Sequence, residues 1–220
     1  MGVAAEAVKM ARELGATVAG FVPAKSLKNS PSARSAGPPG FRAGTGSIMV
    51  LGLYHDPEHP EMDWWEEGAS TPGDRMLQQI AEALRKWLKE VHRIDARVLP
   101  YQVHDGGIYL KDAAVMAGLG FIGRNNLVIV PGSGASIRFR ALWVDLEVPK
   151  PRAGRRPAFC EECPAPCQTK CPMHAFVDGR YHRAECLKRI DVNKKTATGE
   201  RRPLDHCRVC ELVCPSGRDG

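Results

Sequence analysis

Apolar residues recur at helical spacing most clearly between Asp74 and His92, where Met76, Leu77, Ile80, Ala81, Leu84, Trp87, Leu88 and Val91 share a face. A long amphipathic helix is predicted there. Residues 4–14 carry helix formers and predict a first helix, while TVAGFV (17–22), SIMVLGLY (47–54) and ARVLPYQV (96–103) predict strands. Ile108 to Ala117 predicts a short helix entering the glycine-rich stretch AGLGFIGRNN (117–126). LVIV (127–130), a PGSG turn (131–134) and IRFRALWVDL (137–146) then predict paired strands. Two stretches break the pattern. SPSARSAGPPGFRAGTG (30–46), rich in Pro, Gly and Ser, predicts a mobile loop. His55 to Asp74 is acidic and punctuated by prolines, and predicts a surface loop pinned by Trp64 and Trp65, with a lid as the alternative.

AGLGFIGRNN contains G-x-G-x-x-G, a pattern that in dinucleotide-binding folds lies between a strand and a helix whose N-terminus faces the pyrophosphate. Here the order is helix, turn, strand. That reversal excludes the dinucleotide reading, and Asp145, at the distance of a ribose-binding acid, loses its frame with it. His55 and His59 are four apart like helical metal ligands, but Pro57 and Pro60 forbid that helix.

Charge and cysteine content divide the chain. The net +6 comes wholly from the last third: residues 1–149 hold 16 Lys and Arg against 16 Asp and Glu, residues 150–220 hold 15 against 9. All eight cysteines lie in the same third, after the cationic, Pro-rich VPKPRAGRRPAF (148–159). The expected division is residues 1–149 and residues 150–220. The N-terminal residues carry charges where a signal peptide has its apolar core, no twin-arginine start is present, and no run has the length of a membrane span. Glu6 stands where a myristoylation motif needs Ser or Thr. The expectation is a cytoplasmic chain without membrane contact, whose clustered cysteines bind metal rather than form disulfides.

Cys160-x2-Cys163-x3-Cys167-x3-Cys171-Pro172 and Cys207-x2-Cys210-x3-Cys214-Pro215 are two copies of a ferredoxin-type run, with Cys186 between them. In two-cluster ferredoxins the cysteine before proline reaches over to the other cluster. Two [4Fe-4S] clusters are then expected, one on Cys160, Cys163, Cys167 and Cys214, the other on Cys171, Cys186, Cys207 and Cys210. Pro164-Ala165-Pro166 gives x3 where x2 is usual, which makes Cys167 the irregular member. Two structural zinc sites are the alternative. Each oxidised cluster carries about −2, so the loaded chain would fall to about +2. Much of the basic excess is thereby accounted for, which weighs against nucleic acid as a partner.

The segment from AGLGFIGRNN to LWVDLEVP, followed by CEECPAPCQTKCP and CRVCELVCP, resembles the epoxyqueuosine reductase and reductive dehalogenase superfamily. The A-R-E-L-G ending of the first helix, SIMVLGLY and the lone Cys186 also have counterparts there. The resemblance implies an α+β fold, in which a nitroreductase-related cobalamin-binding α/β domain is followed by a bacterial-type 2[4Fe-4S] ferredoxin domain. It implies cobalamin as cofactor, with flavin as the alternative. Gly118, Gly120 and Gly123 would let backbone approach the corrin, with Arg124 and Asn125 nearby. The family's general-acid aspartate falls at His104, with Asp105 adjacent and Tyr109 a further donor, a departure from the family pattern. The implied partners are an external low-potential electron donor and a small-molecule or modified-nucleoside substrate, and a homodimer stays open. Full-length members continue into a tRNA-contacting helical segment, and the last residue here is Gly220. A ferredoxin-like electron carrier without its own substrate is the alternative function, and a zinc-containing nucleic-acid-binding protein a third.

Overall fold

The structure is a computed structural model, and it describes residues 2–66, 68–151, 157–196 and 204–216. The chain forms two compact units whose segments interleave: Met1–Tyr54, Met76–Phe121 and Arg138–Gly154 make the first, and His55–Arg75, Ile122–Ile137 and Arg155–Gly220 the second. The fold is mixed α/β.

In the first unit, α1 (Val3–Glu13) leads into β1 (Val18–Pro23), followed by α2 (Pro31–Ala36) and β2 (Ser47–Tyr54). Then come α3 (Pro72–His92), β3 (Ala96–Val98) and α4 (Leu110–Met116); of the strands that follow, the two-residue β4 (Phe121–Ile122) is divided between the units, β5 (Val128–Ile129) belongs to the second, and β6 (Ile137–Val144) returns the chain to the first. The main sheet has the order β1-β2-β6-β3, with β1 antiparallel to β2 and β3 antiparallel to β6. SIMVLGLY is an unbroken apolar run because β2 is an inner strand. Every residue of it except Tyr54 is buried. α1 packs on β1, and α4 on β1 and β2.

Differences from the predicted elements have local causes. The strand predicted over 96–103 stops at Val98; pairing survives to Leu99, whose N–H donates to the Ala141 carbonyl, and ends at Pro100, which has no N–H to give. The predicted mobile loop contains α2, started by Ser30, whose Oγ accepts from the Ala33 N–H at 3.3 Å, and by Pro31 in the first turn. On α3, Leu77, Ile80, Ala81, Leu84 and Leu88 are buried, whereas Met76 and Val91 are exposed. The apolar stripe in the sequence is therefore wider than the face the core covers. α4 is followed by the glycine turn and then β4, the helix-turn-strand order predicted from the sequence. Gly118 ends α4 at φ +76°, its N–H bonded to the Val115 carbonyl and the Leu119 N–H to that of Ala114. This is the left-handed helix ending that favours glycine.

The second unit is built from short elements: α5 (Ala158–Glu161), α6 (Pro166–Thr169), the hairpin of β7 (Phe176–Val177) and β8 (Arg180–Tyr181), α7 (Arg183–Thr196) and α8 (Val209–Leu212). The segment predicted as a loop pinned by tryptophans is held instead by backbone: Trp65 and Leu204 exchange N–H to carbonyl bonds at 2.9 and 2.7 Å, while the Trp65 side chain stays exposed. Among the described residues, no helix is long and apolar enough to cross a membrane.

Candidate metal centre

Each cysteine run is folded as single helical turns, which is how residues three or four apart come to share a side. Cys160 ends near the close of α5, Cys167 lies in α6, Cys186 in α7 and Cys210 in α8. All eight thiols are free. Cys160, Cys163, Cys167 and Cys214 line one pocket, together with Gly123, Arg124, Asn125, Ile129 and Phe159 among others. Burial pushes the Cys167 thiol up from its ordinary value, and negative charge on Cys214, Cys163 and Cys160 pushes it further. Cys210 is pushed up to about 12, first by burial, then by Cys207, Cys186, Glu211 and Cys171. The thiols thus gather in two foursomes, and in each the cysteine before a proline comes from the other run.

Among the described residues, no three His, Cys, Asp or Glu side chains converge tightly enough to hold one metal ion. A zinc ion draws four sulfurs to about 2.3 Å from a single centre. A four-iron cube gives each of four thiolates its own iron, and the all-thiolate donor set drawn from two ferredoxin-type runs fits that group. The sulfurs also have protein donors: the Ala175 N–H reaches Cys171 Sγ at 3.4 Å, and Tyr181 hydrogen-bonds Cys186. Such bonds to ligand sulfur tune a cluster's reduction potential.

Arg124 and Asn125, placed near a corrin by the resemblance, have their polar atoms on the cysteine loops. Arg124 Nη1 donates to the Cys163 carbonyl at 2.6 Å and to that of Glu161 at 3.4 Å, and Gln168 Nε2 returns a bond to the Arg124 carbonyl at 2.9 Å. Asn125 Nδ2 donates to the Cys210 carbonyl at 3.4 Å, while its Oδ1 accepts from the Leu127 N–H. Two neighbouring residues therefore brace both cysteine runs. Gly123 is packed rather than open, since a Cβ there would lie 2.7 Å from Asn125 Oδ1 and 2.9 Å from Ile129. Gly118 is exposed and Gly120 buried.

In the first unit, His104 and Asp105 sit on a 3-10 turn, paired at 3.5 Å with both side chains well exposed. Tyr109 is half-buried, and its hydroxyl donates to the Gly37 carbonyl at 3.0 Å. The sequence reading missed the second unit's charged interior: His55, Asp63, Arg208 and Glu211 are all buried. His59, the other half of the discounted pair, is exposed beside Glu61. Arg208 and Glu211 lay inside a recognisable signal, the run Cys207-x2-Cys210-x3-Cys214.

Relatives supply the wider frame. Over 155 residues the chain is 34% identical to an epoxyqueuosine reductase of Pseudomonas aeruginosa, a match covering 66% of this chain and 40% of that protein. The chain thus spans less than half the length of that curated relative. An epoxyqueuosine reductase solved with an epoxyqueuosine-modified tRNA stem loop has the same fold (TM-score 0.69, 17% identity, 99% of this chain and 66% of that one). So has a reductive dehalogenase whose structure suggests a mechanism for B12-dependent dehalogenation (TM-score 0.65, 18% identity, 96% of this chain and 31% of that one). No family model matches the chain. The chain is similar in sequence to epoxyqueuosine reductases, and it shares its fold with solved epoxyqueuosine reductases and reductive dehalogenases.

Proposed function

We propose that this chain is an iron-sulfur reductase that works with a corrinoid. The observation that carries the reading is the grouping of eight thiols into two foursomes that exchange their proline-flanked cysteines. Cys160, Cys163, Cys167 and Cys214 would hold one [4Fe-4S] cluster, and Cys171, Cys186, Cys207 and Cys210 the other. When bound, the clusters supply single-electron transfer and the corrinoid supplies the hard reduction of the substrate. The chain's own residues hold the thiols in place: Arg124 and Asn125 by the carbonyls of both runs, Ala175 and Tyr181 by bonds to sulfur. Cobalamin is supported by the resemblance and by the B12-dependent neighbour, and a modified nucleoside as substrate by the neighbour bound to a modified stem loop.

A second reading, an electron carrier that reduces a partner's cofactor, draws on a different observation. His104 and Asp105 face solvent, and the Tyr109 hydroxyl already donates to the Gly37 carbonyl, so none of the three is directed into an enclosed site. Anaerobic purification with metal and sulfide assay tests what both readings share, about eight iron and eight sulfide per chain. Stoichiometric zinc in a colourless protein would sink both. Cobalamin added to the iron-loaded protein then separates them. A changed cobalt(II) electron paramagnetic resonance spectrum supports the reductase, and an unchanged one the carrier.

A further inference from the structure

A chain of buried charges in the second unit includes none of the site residues predicted from the sequence. Arg208, between Cys207 and Cys210, is only 6% exposed, although most arginines in a surface turn keep their guanidinium in water. Its Nη1 meets Asp63 Oδ2 at 3.2 Å, its Nη2 donates to the His55 carbonyl at 3.3 Å, and its Nε donates to Glu211 Oε1 at 3.1 Å, with a second contact to Glu211 through Nη2. Behind it, Asp63 Oδ1 lies 2.9 Å from His55 Nδ1. His55 is fully buried, its N–H donating to the Ser136 carbonyl at 2.8 Å, and a Cβ at Gly73 would collide with its ring.

A buried ion network is a poor source of net stability, because desolvation cancels most of the attraction; its firmest use is to select one arrangement of the chain. Here the arrangement selected is that of the Cys207–Cys210 loop. We propose that Arg208 is a positioning residue for the second foursome, clamped by Asp63 and the His55 carbonyl so that the Cys207 and Cys210 thiols face Cys171 and Cys186. The segment His55–Asp63 is then part of the metal-binding unit although it carries no ligand. A planar, five-donor guanidinium suits three partners at once, which an ammonium does not. The proposal rests on the cluster reading above.

The test uses the whole chain, reconstituted anaerobically with iron and sulfide. Arg208→Gln should lose about half the iron of the wild type. The loss should fall on the cluster assigned to Cys171, Cys186, Cys207 and Cys210, with the signal of the other unchanged. Arg208→Lys should not restore it fully. Asp63→Asn, remote in sequence from every cysteine, should keep both clusters but raise the reduction potential of that same one, since a nearby negative charge disfavours the reduced form. A role in folding alone would not move one potential and spare the other. Two clusters at wild-type potentials in both Arg208→Gln and Asp63→Asn overturn the positioning role. A wild-type chain that takes up no iron overturns the cluster reading instead.

Discussion

Arg124 shows how a single residue can be read differently in sequence and in structure. Within G-R-N-N it looks like a ligand contact, yet its guanidinium closes the first cysteine loop through the Cys163 carbonyl. A charge-assisted bond of this kind contributes about 1.5–3 kcal/mol. Arg124→Ala is expected to lower the denaturation midpoint of the iron-loaded protein accordingly, and to speed iron loss to a chelator. Asn125→Ala removes a longer neutral bond and should cost less, about 1 kcal/mol. Cys163→Ser and Cys186→Ser should abolish different clusters; spectra in which the same cluster vanishes from both would refute the pairing. At the exposed pair the expectation is opposite in kind. His104→Ala and Asp105→Asn should leave stability within about 0.5 kcal/mol of wild type, because neither side chain is packed. Any loss must then appear in turnover, and its absence would remove both residues from the chemistry.

At the scale of elements, α3 and the end of α4 carry the clearest consequences. Leu84 and Leu88 are fully buried, and burying such a side chain is worth about 1.5–3 kcal/mol. Leu84→Ala should cost about 2–5 kcal/mol in chemical denaturation, since a cavity is left as well. Val91→Ala, on the same helix and the same predicted stripe, should change stability by less than about 0.5 kcal/mol, because Val91 already faces water. Periodicity names a face but not how far the core extends beneath it. Gly118 holds a left-handed backbone, and Gly118→Ala should cost about 1–2 kcal/mol without altering iron content. A loss of iron in that variant would show that the glycine turn reaches into the metal unit.

For the molecule as a whole, the raised thiols make metal loading pH-dependent. Burial pushes Cys210 up to about 12 and Cys167 above its ordinary value, which favours the protonated thiols in the metal-free fold. In that state the raised value contributes stability below the unfolded-state pKa, and the contribution is lost as pH rises through the folded one. Cluster assembly displaces those protons, so its sign is the reverse: retention of iron against a fixed chelator concentration should strengthen between pH 7 and pH 9. Retention that weakens with rising pH would show that the thiols are not the ligands. The two units add a further consequence. Ile122–Ile137 belongs to the same unit as the cysteines, so the brace that holds them begins directly after the glycine turn.

What the sequence determined by itself is whatever rests on spacing along the chain. The inner strand Ser47–Tyr54, the helix from Asp74, the helix-turn-strand order around AGLGFIGRNN and the family resemblance were all legible, because period, turn chemistry and motif order are local properties. Both ferredoxin-type runs were legible for the same reason. Only the tertiary structure decided which distant segments share the metal unit: that Arg208 is buried against Asp63, that Asn125 reaches the Cys210 carbonyl, and that His55 lies in the interior. Nothing in the residues around Asp63 announces a partner far along the chain. Pairing of buried charges depends on which side chains folding brings together out of water, and a one-dimensional pattern does not carry that information.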